Sequence, residues 1–301
     1  MIYTVTLNPS LDYIITIDEI NIGKLNEADD YLVLVGGKGI NVSLVLNNLG
    51  IDTMATGFIA GFTGNEIIRQ LDESSCKHDF ISLEEGYNRI NIKLKSKEET
   101  EINAKGPTIS ERNIQSLIKK ISLVTKDDYI VLSGSVPKNL PEDIYQRIMK
   151  EVSNTGAKIV LDTRKKYLEY GLEMKPFLIK PNKDELEEIY SVSIYSKEDI
   201  EKYARKLQQS GAENVLVSLG KDGAMLLDCM GQVHYQNAPQ GKLINSVGSG
   251  DSMVAGFLAG YIQSRGNYLE ALKMGVAAGS ASAFSRFLAT KKEIIELKQQ
   301  I

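Results

Sequence analysis

The segment that begins at Asn245 and reads Asn-Ser-Val-Gly-Ser-Gly-Asp-Ser-Met-Val-Ala-Gly carries the residues best suited to chemistry. It places a Gly-Ser-Gly turn directly before a helix predicted over Ser252–Ser264. Glycines let successive backbone N–H groups point into one concavity, and a helix N-terminus adds partial positive charge, so the turn could hold a phosphoryl group. Asp251 would then be a general base that accepts the proton of an attacking hydroxyl. The alternative is a plain strand-to-helix turn in which Asp251 caps the helix.

A second glycine turn, Gly-Gly-Lys-Gly from position 36, precedes a helix predicted over Ile40–Leu49. Lys38 and Asn41 would lie at its mouth, where a close backbone, a cation and an amide suit a phosphorylated or polyhydroxylated ligand. The segment matches neither GxxxxGK[ST] nor a complete GxGxxG. A Walker loop and a dinucleotide-binding fingerprint are therefore excluded.

A third turn, Ser-Leu-Gly-Lys-Asp-Gly from Ser218, follows the apolar run Val215–Val217. Taken alone it is typical of a hairpin turn. At the carboxyl end of a strand, the same turn could line a nucleotide site.

These turns are positioned by alternating apolar runs and helix-like stretches. The predicted buried strands are Ile2–Leu7, Thr53–Phe58, Tyr129–Leu132, Lys158–Leu161, Phe177–Ile179 and Asn214–Ser218. Further predicted helices are Asn113–Val124, Glu142–Thr155 and Ser196–Ser210. Alternation of strand and helix predicts an α/β fold with an open, doubly wound sheet.

Two stretches, residues 12–36 and 87–104, break this rhythm. Apolar residues alternate with polar ones in the second stretch, which predicts half-buried antiparallel strands. The two inserts could combine into one small sheet that covers an active site, and a second subunit could bury its exposed edges and apolar face. We therefore predict a single domain over residues 1–301 that carries a discontinuous lid.

Composition narrows the range of partners. The chain has 301 residues, of which 43% are hydrophobic and 25% charged, and its net charge is −4. These values and the lack of a long block of like charges favour a small-molecule partner over nucleic acid or a membrane surface. Cys76 and Cys229 lack CxxC spacing, which favours a reducing compartment and argues against zinc. With no signal-like start and no long apolar run, we predict a cytoplasmic protein.

Taken together, the segments resemble the ribokinase-like carbohydrate kinases of the PfkB family over essentially the whole chain. Two separated signatures, GGKGINVS and NSVGSGDSMVAG, carry the resemblance. Within the family the chain is most similar to the 1-phosphofructokinase branch, with the tagatose-6-phosphate kinases as near relatives. Segments typical of that branch are Leu7–Asp12, Asn88–Asn91, Thr100–Asn103, Leu132–Pro137 and Ala283–Thr290. Lys38 also favours this branch over the 6-phosphofructokinases of the family, which tend to have glycine there.

The resemblance implies a ribokinase-like, doubly wound, mainly parallel sheet with a small β-sheet lid, which two subunits often share. It implies ATP and Mg²⁺ as cofactors and a homodimer formed through the lid. By the same resemblance, Asp251 is the catalytic base. The backbone that forms the anion hole for the transferred γ-phosphoryl group belongs to Gly248, Ser249 and Gly250.

The substrate site implied by the resemblance has two groups of residues. Those that hold sugar hydroxyls are Asp12, Gly37 and Asn41. Those that hold the phosphate already on the substrate are Lys38, Arg89 and Ser135, and Lys24 in the lid insert would reach across from a partner subunit. Arg89 fits best because its fork of donors matches phosphate oxygens, although an exposed strand arginine is the alternative.

Asn182 and Glu185 match the NxxE element of the family, in which a carboxylate positions Mg²⁺ through water. The alternative is that Asn182 caps a helix and Glu185 completes a capping box, and both roles can coexist.

The remaining nucleotide contacts are also implied by the resemblance. Ser218, Gly220 and Gly223 would approach the phosphates and the ribose. Small residues of the predicted helix Val276–Phe284 would leave room for adenine, with close helix packing as the alternative; they are Ala277, Ala278 and Ser280.

The reaction implied is ATP-dependent phosphorylation of fructose 1-phosphate to fructose 1,6-bisphosphate. Tagatose 6-phosphate and fructose 6-phosphate remain alternative substrates, and a sugar-phosphate-binding regulator without catalysis is the non-enzyme alternative. Three residues depart from the family pattern, namely Ser249, Arg164 and Arg286. Because of these departures, the resemblance does not determine which nucleotide is preferred or whether the protein is under allosteric control.

Overall fold

The computed structural model describes residues 1–301 apart from the side chain of Lys165. The first strands in chain order are β1 (Ile2–Thr6), β2 (Ser10–Thr16), β3 (Asp30–Gly36), β4 (Thr53–Ile59), β5 (Ile81–Ser82), β6 (Arg89–Lys95) and β7 (Glu99–Ile102). The later strands are β8 (Tyr129–Ser133), β9 (Lys158–Asp162), β10 (Leu178–Ile179), β11 (Asn214–Ser218), β12 (Ala224–Leu227) and β13 (Val233–Gln236).

Helices connect most of these strands. The first five are α1 (Lys38–Leu49), α2 (Gly61–Glu73), α3 (Glu111–Ile121), α4 (Ile144–Val152) and α5 (Lys165–Leu172). The others are α6 (Lys183–Tyr190), α7 (Lys197–Gln209), α8 (Ser249–Gln263), α9 (Tyr268–Ala283) and α10 (Lys291–Lys298).

The larger sheet of the described chain has nine strands in the order β13-β12-β11-β10-β9-β8-β1-β4-β5. The strands from β11 through β5 pair in parallel, whereas β12 and β13 add an antiparallel edge. Each of the predicted buried strands is confirmed, and so is the mainly parallel α/β sheet. Parallel strands buried on both faces consist of near-continuous apolar runs, which is why the sequence pattern located them.

Helices cover both faces of this sheet because their apolar residues recur every three or four positions. In α3 the buried side chains are Ile114, Leu117, Ile118 and Ile121. One core cluster contains these residues together with Val5 and the residues that face the same side of the sheet. A second cluster contains most of the buried apolar side chains of α1, α8 and α9. The doubly wound arrangement follows from these two cores.

The smaller sheet has the order β3-β2-β6-β7 and is built from the two inserts. The expected antiparallel pairing occurs between β2 and β3 and between β6 and β7, whereas β2 and β6 pair in parallel. Leu11 is buried against Ile67 and Leu71 of α2, and the Gln70 side chain accepts a hydrogen bond from the Val35 backbone. The small sheet is therefore anchored at one end to the larger body, and we call it the lid.

Helix α8 begins at Ser249, three residues before the predicted start. Asp251 therefore lies inside the first turn of the helix rather than ahead of it. Across the described chain, no helix combines the length and the apolar character needed to cross a membrane.

Candidate active site

A cavity of about 1060 Å³ lies between the lid and the carboxyl ends of the central strands. Its walls include the segments that follow β1, β8, β9, β10 and β11, the starts of α1 and α8, and strands β2 and β6 of the lid. In open α/β sheets this edge is where ligands bind. Most of the predicted site residues line it: Asp12, Gly37, Lys38, Asn41, Arg89, Ser135, Asn182, Glu185, Ser218, Gly220, Gly248, Ser249, Gly250 and Asp251.

Asp251 lies deep in this cavity and is 6% exposed. Its Oδ2 atom accepts a hydrogen bond of 2.8 Å from Nδ2 of Asn41. Burial raises the pKa of Asp251 to about 6, while the Lys38 ammonium opposes the rise and the Asp162 carboxylate adds to it. No side-chain capping bond forms at this helix start, where Gly248 is the N-cap. The carboxylate is thus placed to exchange a proton near neutral pH.

The glycine turn before α8 brings backbone close to its neighbours. Gly248 has a φ of +78°, and a Cβ atom there would lie 2.6 Å from Cδ2 of Leu288. A Cβ atom on Gly250 would lie 3.2 Å from Nζ of Lys180. The first-turn N–H groups of a helix have no partner within the helix, and here a buried ammonium lies below them. Gly248, Ser249 and Gly250 line the cavity, so the turn brings backbone and positive charge to its wall, with the Ser249 N–H donating to the backbone oxygen of Ser246 at 3.4 Å.

Opposite charges meet at the ends of β9 and β10. Oδ1 of Asp162 lies 3.0 Å from Nζ of Lys38 and 3.9 Å from Nζ of Lys180. Burial alone would raise the pKa of Asp162, but the two ammonium groups outweigh it and lower the pKa. Oδ2 of Asp162 and Oγ of Ser133 on the adjacent strand are buried and have no hydrogen-bond partner. Neither residue lines the cavity, so this pair lies behind its wall, next to Lys38 and Lys180, which do line it.

The sequence analysis missed Asp162 and Lys180 as site residues. Each follows a predicted buried strand directly, and that position was the available signal. Lys38 was predicted to hold the substrate's own phosphate, yet its ammonium lies against Asp162 and near Asp251.

The lid contributes a polar group centred on Asp12. Its Oδ1 atom accepts hydrogen bonds from Oγ of Ser10 at 3.0 Å and Nδ2 of Asn91 at 2.9 Å. Nζ of Lys93 lies 3.2 Å from the other carboxylate oxygen and 3.7 Å from Oε1 of Glu101. Asn91 and Lys93 were not predicted as site residues, although their alternation with apolar residues in β6 was visible. The carboxylate of Asp12 is held in one orientation by these three donors.

Arg89 is the first residue of β6 and is largely withdrawn from water, which lowers the pKa of its guanidinium. Nε donates to the backbone oxygen of Asn8 at 3.2 Å, and Nδ2 of Asn8 lies 3.4 Å from Oγ of Ser135. Arg89 and Ser135 thus meet through Asn8 at one end of the cavity. Gly37, with a φ of +123°, begins α1 beside them, where a Cβ atom would come within 2.8 Å of Cγ2 of Thr6.

The other end of the cavity is formed by α6 and the loop after β11. Asn182 and Glu185 form the capping box of α6, which confirms the structural alternative for this pair. The remaining carboxylate oxygen of Glu185, Oε1, lies 3.0 Å from Nε of Arg164. A backbone bridge between Asn182 and Ser218 brings the two segments together.

Five predicted residues do not line the cavity, namely Lys24, Gly223, Ala277, Ala278 and Ser280. Gly223 closes the turn between β11 and β12, which is the predicted hairpin, and a Cβ atom there would lie 2.0 Å from the backbone oxygen of Gln236. Ala277, Ala278 and Ser280 belong to α9, which packs closely on α8. Lys24 lies in the loop between β2 and β3, away from the cavity of its own chain.

The number of acidic side chains that meet in the cavity indicates which metal ion it could bind. Within the described residues, no group of three or more His, Cys, Asp or Glu side chains converges on one point. Mg²⁺ commonly binds through one or two carboxylates together with substrate phosphates and water. Glu185 lines the cavity and fits a Mg²⁺ ion that arrives with a nucleotide.

Comparison with known proteins agrees with this geometry. The chain is 44% identical to 1-phosphofructokinase of Bacillus subtilis, covering 100% of this chain and 98% of the relative. It is 37% identical to D-tagatose-1-phosphate kinase of Bacillus licheniformis, covering 100% and 98%. The structure of phosphofructokinase-2 from Escherichia coli in complex with fructose-6-phosphate superposes with a TM-score of 0.91 at 25% identity, covering 99% of this chain and 98% of that one. The model of the pfkB family carbohydrate kinases matches residues 5–293, and the chain belongs to that family.

Proposed function

We propose that this kinase transfers the γ-phosphoryl group of ATP to the C6 hydroxyl of fructose 1-phosphate, giving fructose 1,6-bisphosphate and ADP. The observation that carries the proposal is a buried carboxylate, Asp251, in the first helical turn after a glycine-rich loop, facing a cavity with Arg89 in its far wall. The 44% identity to 1-phosphofructokinase of Bacillus subtilis favours this substrate.

Asp251 is the proposed base. Asn41 donates to Oδ2, which leaves Oδ1 to accept the proton of the C6 hydroxyl as its oxygen attacks phosphorus. A pKa of about 6 suits this role because the group is ionised at neutral pH yet retains affinity for a proton. The oxygen forms a bond to phosphorus, the bond from phosphorus to the ADP oxygen breaks, and the proton remains on the carboxyl group.

The anion hole is the proposed counterpart of this base. Backbone N–H groups of Gly248, Ser249 and Gly250 would donate to the transferred phosphoryl oxygens, and the helix N-terminus adds positive charge. Lys180, below Gly250, strengthens the field at this point. Phosphoryl transfer depends mainly on positioning and charge stabilisation, so these groups suffice.

The sugar phosphate would lie between the two walls of the cavity. Its hydroxyls are assigned to Asp12, Gly37 and Asn41, and its phosphate to Arg89 and Ser135. The family resemblance adds Lys38 to the phosphate group, whereas the contact of its ammonium with Asp162 favours a place beside the reacting atoms. Nε of Arg89 is engaged by Asn8, so its two terminal nitrogens are the ones available for phosphate. Lys24 reaches this phosphate only from a partner subunit, so we include the lid homodimer in the proposal. Exposed apolar side chains on the lid support it: Ile22, Leu25 and Tyr31.

ATP would occupy the end of the cavity near β11, with Asn182, Ser218 and Gly220 at its phosphates. Gly223 and Ser280 would act there through the backbone shape of the turn and through close helix packing. Mg²⁺ bound with the nucleotide would neutralise polyphosphate charge, and Glu185 would hold it through water. We further propose that residues 1–301 work as one kinase domain in the cytoplasm.

The test is ADP release by the purified protein with MgATP and, in parallel, fructose 1-phosphate, fructose 6-phosphate and tagatose 6-phosphate. The highest kcat/KM is expected for fructose 1-phosphate. Preference for a 6-phosphate would retain the proposed base and reassign Lys38 and Arg89. Sugar-phosphate binding without ADP release would favour a regulator instead.

The similarity to D-tagatose-1-phosphate kinase supports a second candidate substrate. Tagatose 1-phosphate carries its phosphate on the same carbon and differs from fructose 1-phosphate in the configuration of one hydroxyl. Adding tagatose 1-phosphate to the same assay decides between the two.

A further inference from the structure

Arg164 stands at the boundary between the two ends of the cavity and has no assigned role. It follows β9, the strand that lies between β8 on the sugar side and β10 on the nucleotide side. Its side chain lines the cavity and is 68% exposed, whereas the carboxylate it contacts, Glu185, is 13% exposed. An exposed guanidinium is thus tethered to a carboxylate that is almost buried.

The contact uses only part of the guanidinium. Nε of Arg164 donates to Oε1 of Glu185 at 3.0 Å. Among the described residues, the two terminal nitrogens of Arg164 have no hydrogen-bond partner. Because guanidinium is planar and permanently charged, these nitrogens form a fork that matches phosphate oxygens.

The other cations on this wall differ in how closely they are paired. Lys38 and Lys180 lie against the buried carboxylate of Asp162, and Lys183 lies 3.9 Å from Glu187 on its own helix. Arg164 is also close enough to Asp162 to help lower the pKa of that carboxylate. Lys183 also lines the cavity and is 46% exposed, but its ammonium is a single point charge. Arg164 is therefore the exposed cation on this wall that offers a planar fork of free donors.

We propose that Arg164 is a further phosphate-binding residue of the nucleotide site. Its guanidinium pairs with Glu185 when no nucleotide is bound and contacts the polyphosphate of ATP when one is bound. The inference rests on the proposed use of ATP as phosphoryl donor. It also explains the Arg164–Glu185 pair, because the guanidinium neutralises the carboxylate until a metal–nucleotide complex binds beside Glu185 and replaces the guanidinium.

The test measures the Kd of ATP and of AMP by calorimetry without metal, in EDTA, for wild type and Arg164→Ser. Removing the fork should weaken ATP binding about tenfold and leave AMP within about twofold, because AMP lacks the terminal phosphates. Lys166→Ser is the matched control, because this substitution removes the same charge two residues away. Lys166 pairs with Glu142 and does not line the cavity. Its ATP affinity should equal that of wild type.

An unchanged ATP affinity in Arg164→Ser, or an equal loss for ATP and AMP, overturns the inference. Wild-type protein that binds no ATP would instead overturn the proposed function, so the two failures are distinguishable. Arg164→Lys retains charge without the fork and should fall between wild type and Arg164→Ser. It supplies the same test if the serine variant is not folded.

A double-mutant cycle tests the pairing with Glu185. In EDTA, Glu185→Gln should tighten ATP binding severalfold because Arg164 is released and a negative charge is removed. In the Arg164→Ser background the gain should be smaller, since no guanidinium remains to be released. Strictly additive effects would show that the two side chains act independently and would remove the pairing from the proposal.

Discussion

The two walls of the cavity hold charge in different ways. On the core wall, Asp162, Lys180 and Asp251 come from two strand ends and a helix start that are far apart in sequence, and each is less than 10% exposed. On the lid wall, Asp12 and Lys93 come from adjacent strands of a small sheet anchored at one end. The core wall suits groups that must meet the reacting atoms in fixed positions. The lid wall suits groups that select and hold the substrate.

This difference predicts that substitutions on the core wall mainly lower kcat and that substitutions on the lid wall mainly raise KM. A core-wall variant that changes only KM, or a lid-wall variant that changes only kcat, would contradict this division.

Asp251→Asn should have the largest effect, a fall in kcat of about 10³-fold. The amide has nearly the same volume and still accepts the hydrogen bond from Asn41, but it cannot take the hydroxyl proton. Steady-state kinetics and calorimetric binding of fructose 1-phosphate measure the two consequences, and binding should be nearly intact. Turnover within tenfold of wild type would show that Asp251 is not the base.

Lys38→Met should lower kcat about 100-fold and leave the KM of fructose 1-phosphate within about threefold. The reason is position: the ammonium contacts Asp162 and influences Asp251, so it belongs to the core wall. The family resemblance instead assigns Lys38 to the substrate's phosphate. A large rise in KM at normal kcat would support that assignment and group Lys38 with the residues that hold the substrate.

Arg89→Ala should mainly raise the KM of fructose 1-phosphate, by the roughly 1.5–3 kcal/mol that charged hydrogen bonds contribute. Arg112→Ala removes an exposed arginine of α3, outside the cavity, and is the matched control. Initial rates over a range of sugar phosphate measure both variants. A KM equal to that of the control would remove Arg89 from the phosphate site.

The same contrast explains what the sequence could predict. The lid strands, the buried strands and both glycine turns follow local rules of periodicity and turn chemistry, so each was predictable from a short window. The burial of Asp251 beside the glycine turn was predictable because the carboxylate and the turn adjoin in one segment.

The cluster of Asp162, Lys180 and Lys38 was not predictable in this way. It depends on the strand order β10-β9-β8-β1, which brings together residues from separate segments. A short stretch of sequence contains no information on that order. The capping box at Asn182 shows a related limit, because the same pattern is typical of helix initiation, which the structure shows, and of the proposed ligand binding. Lys24 shows another, since the geometry of one chain cannot test its proposed role across subunits.

The smallest expected effect concerns pH. Because Asp251 must be ionised to act as base and its pKa is about 6, kcat/KM should fall on the acid side with a midpoint near pH 6. The Lys38 ammonium lowers the pKa of Asp251, so Lys38→Met should move this midpoint to higher pH. Lys93→Met, on the lid wall, should leave the midpoint in place while raising KM, because Lys93 contacts Asp12 instead. Profiles of kcat/KM from pH 5 to 8 for wild type, Lys38→Met and Lys93→Met measure the shift. A midpoint that moves equally in both variants would show that charges on the two walls influence Asp251 to the same extent.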